Sequence, residues 1–281
     1  MMRRPGGFTL VELVVVIMIT GIMAASIAVF FVPAINAYFD TRRRAEMTDT
    51  ADTALRRMAR DVRRAVPNSI RIVGDQCFEL VPTVAGGLYR RAADINNAGE
   101  DPLDLSQPDI SFDVLSLPSA TPAAGDFVVI GNQNGNDVYA GTSRGTVGGW
   151  ATATPAELAT REGRITLTAA TQFPSGYDGG RFQVVAAGEA SVFYVCSGTG
   201  VAGGNGTGQL RRLVRAFNAA APVACPPGGE LLASTVSACT FVYSSNLSAT
   251  QEAGFVSMRI ELTSGGETMA LNSGAHVSNV P

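Results

Sequence analysis

The chain has 281 residues, 46% of them hydrophobic, and its 21 basic residues are all arginine. The formal net charge of −3 shows no global basicity of the kind found in nucleic-acid-binding domains. The absence of lysine excludes lysine-dependent chemistry, and the length allows one sizeable globular core beyond a membrane anchor.

The first predicted element is a transmembrane helix over residues 8–32. Residues 13–32 contain no ionisable side chain, and as a helix rising ~1.5 Å per residue they span ~30 Å, the thickness of a bilayer core. Glu12 stands just before this run. Carboxylates at such positions are costly and mark a pairing partner or a functional site. The nearest cation along the chain is Arg4, beyond Gly6-Gly7, so Glu12 needs another partner.

A cut after Gly7 would supply that partner, because it creates a new α-amino group on Phe8. The run Gly7-Phe8-Thr9-Leu10-Val11-Glu12 resembles the type IV prepilin and pseudopilin signature. The resemblance implies that residues 1–7 are a leader removed by prepilin peptidase and that Phe8 is then N-methylated. It also implies that Glu12 aligns with the Phe8 amine of a neighbouring subunit during assembly.

Two other interpretations account for parts of this N-terminus. A secretory signal peptide also has a basic start and an apolar run, and Ser26-Ile27-Ala28 has the small-x-small form of a cleavage site. Its basic region, however, is only Arg3-Arg4, and Glu12 interrupts the apolar run. A plain single-pass anchor predicts no particular sequence before the span. The hexapeptide, the span and the helix that follows together favour a prepilin.

An amphipathic helix is predicted over residues 33–66, because apolar residues there recur at three- and four-residue steps. It continues the membrane helix with a bend expected at Pro33, and Pro67 ends it. The arginines between Arg42 and Arg64 have three interpretations: a solvated face with i, i+4 pairs, contacts with neighbouring pilins, or DNA binding. Little aromatic interleaving argues against nucleic acid.

The rest of the chain, residues 67–281, is predicted to be a β-rich head. Short β-rich runs alternate there with Gly, Pro, Asn and Ser. The predicted fold is therefore α+β, a long N-terminal helix, membrane-spanning in its first half, packed on an enlarged antiparallel head. The candidate strands are 69–73, 77–81, 110–115, 127–131, 164–168, 182–186, 191–196, 209–215, 240–243, 255–263 and 268–271.

The four cysteines, Cys77, Cys196, Cys225 and Cys239, all follow the span. None of their spacings is typical of a zinc or redox motif, so no metal is expected. In an oxidising periplasm two disulfides are the natural use. Three connectivities are possible; the preferred one joins Cys225 to Cys239, which are close in sequence, and Cys77 to Cys196.

Three other parts of the head contain residues typical of phosphate-binding, calcium-binding or catalytic sites. Gly198–Gly208 is glycine-rich but lacks the lysine of a phosphate-binding loop, so a flexible hairpin loop is favoured. Asp94–Asp101 concentrates oxygen ligands of the kind calcium prefers, but its spacing is not that of an EF-hand, which favours a solvated acidic loop. His276 has no second histidine and is expected to be structural. No catalytic residue and no cofactor are predicted, so the chain is interpreted as a non-enzyme.

Further stretches resemble the MshO-type minor pilins of mannose-sensitive haemagglutinin (MSHA) pili, namely 38–58, 77–82 and 276–281. The J-type minor pseudopilins of type II secretion share the helix and β-rich head and remain an alternative, as does a pilus-tip adhesin. The resemblance implies prepilin peptidase, other major and minor pilins, the inner-membrane assembly platform and the lipid bilayer as partners. It also implies an inner-membrane protein with a periplasmic head before assembly, and a pilus or pseudopilus subunit afterwards.

Overall fold

The computed structural model describes residues 7–95, 99–116, 120–176, 179–245 and 253–278. The chain forms two compact units, residues 1–48 and 49–281. A single helix, α1 (Leu10–Arg63), begins in the first unit and ends in the second. Pro33 lies within this helix and does not end it. The first six residues of the predicted leader lie outside the described residues.

In the first unit, α1 carries the apolar segment. Its most apolar 18-residue window has a mean hydropathy of 2.7, and none of that window is buried within the protein. By length and composition this helix is able to cross a membrane. The hydroxyls of Thr20 and Ser26 each donate to the backbone oxygen four residues earlier, at 2.7 and 2.9 Å. These bonds satisfy the hydroxyls within an otherwise apolar surface.

In the second unit, α1 ends at Arg63, before the predicted end at residue 66. The chain joins the head at this point. Ala65 forms a β-bridge with Pro82, and the Val66 N–H donates to the Val81 oxygen at 2.8 Å. These backbone groups therefore pair with the head instead of extending the helix.

The described residues of the head are largely strands, with one short helix, α2 (Asp137–Ala140), and a 3-10 turn (Ala187–Glu189). In chain order the strands are β1 (Arg71–Val73), β2 (Cys77–Leu80), β3 (Ala85–Leu88), β4 (Asp109–Val114), β5 (Phe127–Val129), β6 (Arg144–Thr152), β7 (Gly163–Thr171), β8 (Arg181–Val185), β9 (Ser191–Ser197), β10 (Val201–Ala202), β11 (Asn205–Gly206), β12 (Gly208–Arg215), β13 (Glu230–Ser244), β14 (Ala253–Ser264) and β15 (Glu267–Ser278).

A seven-stranded antiparallel sheet, in the order β1-β2-β9-β12-β13-β14-β15, supports the last part of α1. Tyr194 on β9 and Arg212 on β12 both reach Asp61 on the helix, at 2.7 and 3.2 Å. The apolar side chains on this part of the helix are buried: Ala51, Ala54, Leu55, Met58, Ala59 and Val62. The predicted architecture, a helix packed on an antiparallel β-rich head, is confirmed.

A second, six-stranded antiparallel sheet is inserted between β2 and β9 of the first. Its order is β3-β8-β5-β6-β7-β4. The two ends of this order also meet: Tyr89 bridges Val114, and the Leu115 N–H donates to the Leu88 oxygen at 2.8 Å. The sheet thus closes into a small barrel around a buried core that includes Phe112. Closure removes the free edges that an open sheet exposes.

The sequence prediction missed parts of this head. The strand β6 was not predicted, because its run Arg-Gly-Thr-Val-Gly-Gly-Trp-Ala-Thr is rich in the residues that usually mark turns. The strand β13 extends over Glu230–Ser244, far beyond the predicted 240–243. Its pairing with both β12 and β14 supplies tertiary contacts that hydrophobic alternation alone does not reveal.

The preferred disulfide pairing was wrong. The structure joins Cys77 to Cys225 and Cys196 to Cys239, with Cα–Cα distances of 5.8 and 6.6 Å. In the antiparallel register Cys77 lies opposite Val195. Because neighbouring residues of a strand point to opposite faces, the next residue, Cys196, faces away from Cys77. Each bridge therefore lies on a different face of the sheet.

Candidate processing and assembly site

The Gly7–Phe8 junction precedes the helix and has no regular secondary structure. Phe8 is 81% exposed, and a Cβ atom added at Gly7 would meet no heavy atom within 4 Å. Nothing in the described fold therefore requires glycine at position 7. A requirement for glycine at this position would therefore come from an enzyme that recognises the junction.

Thr9 fixes the beginning of α1. Its side-chain oxygen accepts a hydrogen bond from the Glu12 N–H at 3.2 Å, and its backbone oxygen accepts one from the Leu13 N–H at 3.1 Å. This is the arrangement of an N-cap residue, which satisfies one of the amides left unpaired at a helix start. The cap therefore begins the helix within two residues of the junction.

Glu12 lies in the first turn of α1 and is exposed. A carboxylate there is favoured by the partial positive charge of the helix N-terminus. The ion pairs found along this unit lie much farther on, at Arg42–Glu46 and at Arg43–Asp40. Glu12 is thus an exposed carboxylate at the apolar start of the helix.

The arginine cluster is largely arranged in local pairs. Arg42 contacts Glu46 at 2.8 Å and Arg56 contacts Asp52 at 2.6 Å, both at i, i+4 spacing. In the second unit, Arg57 contacts Glu230 of β13 at 3.1 Å. This is the pattern of a solvated helix face with local ion pairs, one of the three interpretations that the sequence left open.

Two carboxylates of the Asp94–Asp101 loop contact arginines. Glu100 lies 3.0 Å from Arg90 and Asp101 lies 3.3 Å from Arg164, while residues 96–98 lie outside the described residues. In the part of the chain that the structure describes, no group of three or more His, Cys, Asp or Glu side chains is arranged to hold a metal ion. The loop is tied to the barrel by ion pairs.

Those arginines also surround a buried carboxylate that the sequence analysis did not identify. Asp113 on β4 is fully buried and accepts from Arg164 at 2.8 Å and from the Asp101 N–H at 2.9 Å, while Arg161 lies 3.3 Å from it. The hydrogen bond from Arg164 to Asp113 raises the pKa of that guanidinium. The only sequence signal was an acidic residue between Phe112 and Val114 in a strand.

The other two segments have structural roles. The described Gly198–Gly208 region contains the two-stranded hairpin β10–β11, and the Thr207 hydroxyl donates to the Gly198 oxygen at 2.7 Å. His276 lies on β15 with its ring 4.9 Å from that of Phe255. Hairpin geometry and ring packing account for both.

Together, an exposed Gly7–Phe8 junction, a capped apolar helix and a β-rich head are the features of a pilin-like protein. The chain matches the family model for the prokaryotic N-terminal methylation motif over residues 2–28. It therefore carries a type IV prepilin-like N-terminus, consistent with a single-pass anchor. The match includes Gly7, Phe8 and Glu12 but does not extend into the head. Neither the search of curated proteins nor that of solved structures found a match.

Proposed function

We propose that the chain is a non-enzymatic minor pilin, cleaved after Gly7, methylated on Phe8 and incorporated into a filament or its initiating complex. The observation that carries this proposal is the methylation motif over residues 2–28, with its single carboxylate in the first turn of an exposed apolar helix. Prepilin peptidase, other pilins, the assembly platform and the bilayer are the proposed partners. The inner membrane is the location before assembly.

In the proposed mechanism, Glu12 sets the register between subunits. Glu12 lies four positions after Phe8, which is an axial distance of ~6 Å along a helix that includes both residues. A parallel neighbour displaced along the helix axis can therefore bring its Phe8 amine to this carboxylate. The pairing is favoured because an isolated charge in an apolar environment is costly and an opposite charge offsets that cost. The subunit is then extracted from the membrane in one register.

Within the family, we propose an MshO-type role in an MSHA-like pilus. The scattered sequence resemblance in 38–58, 77–82 and 276–281 supports this choice over a J-type pseudopilin. The last three residues of that set, 279–281, lie outside the described residues. The test is the set of neighbouring genes. Pilus genes with an assembly ATPase would support the proposal, and secretion-system genes would contradict it.

The register role of Glu12 is tested by the variant Glu12→Val in cells that assemble the filament. We expect normal cleavage and loss of the subunit from sheared filaments, measured by immunoblotting of membrane and filament fractions. Glu46→Gln is a matched control, because it removes a carboxylate from the exposed surface of the same helix. Normal incorporation of Glu12→Val contradicts the proposal.

Processing is tested separately at Gly7. Replacing Gly7 by a bulkier residue, as in Gly7→Val, is expected to leave the leader attached, as measured by the intact mass of the membrane-extracted protein. Gly21→Val is the matched control, because a Cβ at either glycine meets no atom within 4 Å. If the Gly7 variant has the mass of the chain beginning at Phe8, the cleavage assignment is wrong.

A second candidate function, a ligand-binding or adhesive head, is favoured by the inserted barrel of β3 to β8. This insertion is not needed to cover α1, because the seven-stranded sheet does so. Deletion of the gene distinguishes the two functions. Loss of all filaments supports an assembly role, and filamentous cells that fail to adhere support a binding role.

A further inference from the structure

The head contains a cavity of about 640 Å³ on the face of the seven-stranded sheet that points away from α1. Tyr194 and Arg212 point toward the helix, so the alternating residues Phe193 and Leu213 point to the other face. Residues 216–218 and 220–227, between β12 and β13, form a covering segment that lines the cavity together with Glu79, Phe193 and Arg215. The volume is within the usual range for ligand pockets.

Glu79 is the polar group at the base of this cavity and is only 2% exposed. Its Oε1 accepts a hydrogen bond from the Ser191 hydroxyl. Its Oε2 accepts none from the described residues and lies 3.5 Å from Nη1 of Arg71. A buried carboxylate oxygen without a hydrogen-bond donor is costly. Arg71 offsets its charge, and this oxygen has less than 1 Å² of exposed surface, so it is not open to a ligand in the cavity.

Arg215 supplies the opposite chemistry at the same cavity. It is an exposed residue at the end of β12, where its partner on β9 is Ser191, the residue that donates to Glu79. Arg71 and Arg215 are positively charged and Glu79 is negatively charged, so the three side chains together carry one net positive charge. A guanidinium in this position is suited to a carboxylate, which it can bind with two parallel hydrogen bonds.

The remaining lining is mostly apolar and is held in place covalently. Phe193, Phe217 and Val223 contribute apolar surface, as do several alanines and prolines of the covering segment. The Cys77–Cys225 disulfide attaches that segment to β2, two residues from Glu79. The disulfide holds the covering segment in place, so the cavity is formed before a ligand binds. Such pre-organisation lowers the entropic cost of binding.

We propose that this cavity binds the carboxyl terminus of a partner peptide that ends in an apolar residue. The terminal carboxylate pairs with Arg215, and the last side chain packs against Phe193 and the covering segment. A peptide is favoured over a more polar ligand because most of the lining offers no hydrogen bonds. The cavity lies entirely within the head, so this binding does not depend on filament assembly.

The test uses the full-length protein in detergent and the tetrapeptide Gly-Gly-Ala-Leu with fluorescein on its N-terminus. Fluorescence anisotropy measures the Kd. We expect the free-carboxylate peptide to bind at least about tenfold more tightly than its amidated form, a ratio equivalent to ~1.4 kcal/mol.

Arg215→Gln is expected to abolish the preference for the free carboxylate. Because Arg215 is exposed, we expect this variant to fold normally. The matched control is Arg259→Gln, which removes the same charge from an exposed side chain on β14. The proposal is overturned by no binding at millimolar peptide, by equal binding of the amidated peptide, or by equal loss in Arg259→Gln.

Discussion

Helix α1 contains two regions that obtain their stability from different surroundings. Within the first unit, apolar side chains such as Ile17 and Phe30 are 62% and 75% exposed. Within the second unit, Leu55, Met58 and Val62 are almost completely buried against the head. The first region therefore presents exposed apolar surface, whereas the second belongs to the folded core of its own chain. One helix thus combines an exposed apolar region with a region that is part of the core.

The largest expected effect that tests this difference is at Met58. Met58→Ala removes a side chain with no exposed surface and is expected to lower the free energy of unfolding by about 2–5 kcal/mol. Urea unfolding of the detergent-solubilised protein, followed by near-ultraviolet circular dichroism, measures it. Ile17→Ala in the exposed region is the comparison, with an expected change within about 0.5 kcal/mol. Equal losses in both variants contradict the division of the helix into two regions.

A smaller effect is expected from the polar contacts between helix and sheet. Asp61 accepts from the Tyr194 hydroxyl at 2.7 Å and from Arg212 at 3.2 Å, and Arg212 also contacts Glu189 at 2.9 Å. Burial, with the nearby Asp61 charge and hydrogen bond, raises the pKa of Tyr194. Asp61→Ala is expected to cost ~1–3 kcal/mol by urea unfolding, because it leaves the hydroxyl of the buried Tyr194 without its acceptor.

The control for that contact is Asp52→Ala, one of the exposed pairs of the same helix, in which Arg56 lies at 2.6 Å. Such surface pairs contribute only ~0–1 kcal/mol. If the two variants lose equal stability, Asp61 does not anchor the helix to the sheet.

The smallest expected effect is a pH dependence from Glu79. Burial raises the pKa of this carboxyl above its ordinary value of 4.5, against the opposing effects of Ser191 and Arg71. The folded protein therefore binds this proton more tightly than the unfolded chain does. Its stabilising contribution is present below pH 4.5 and is lost as the pH rises through the folded-state pKa.

Glu79→Gln removes that titration. We expect the variant to gain stability relative to the natural chain on going from pH 4 to pH 7, as measured by urea unfolding at both values. A difference between the two proteins that is the same at both pH values shows that Glu79 has no raised pKa.

The sequence predicted the elements whose signal is local. The span, the signature around Glu12 and the α+β class follow from hydropathy, a short motif and strand periodicity. Buried polar clusters had no comparable signal. Glu79 and Asp113 are each a single acidic residue in a short strand, and only the folded head brings Arg71 or Arg164 to them.

The amino-acid sequence by itself determined the features of the N-terminal segment. Its apolar run, its one carboxylate and the Gly7–Phe8 junction depend on residues that are neighbours along the chain. Tertiary structure alone decided the disulfide pairing, the closure of the barrel and the cavity over Glu79. These features depend on strand register, and register determines which face of a sheet each side chain occupies. Residues such as Cys77 and Cys225, 148 positions apart, meet only through it.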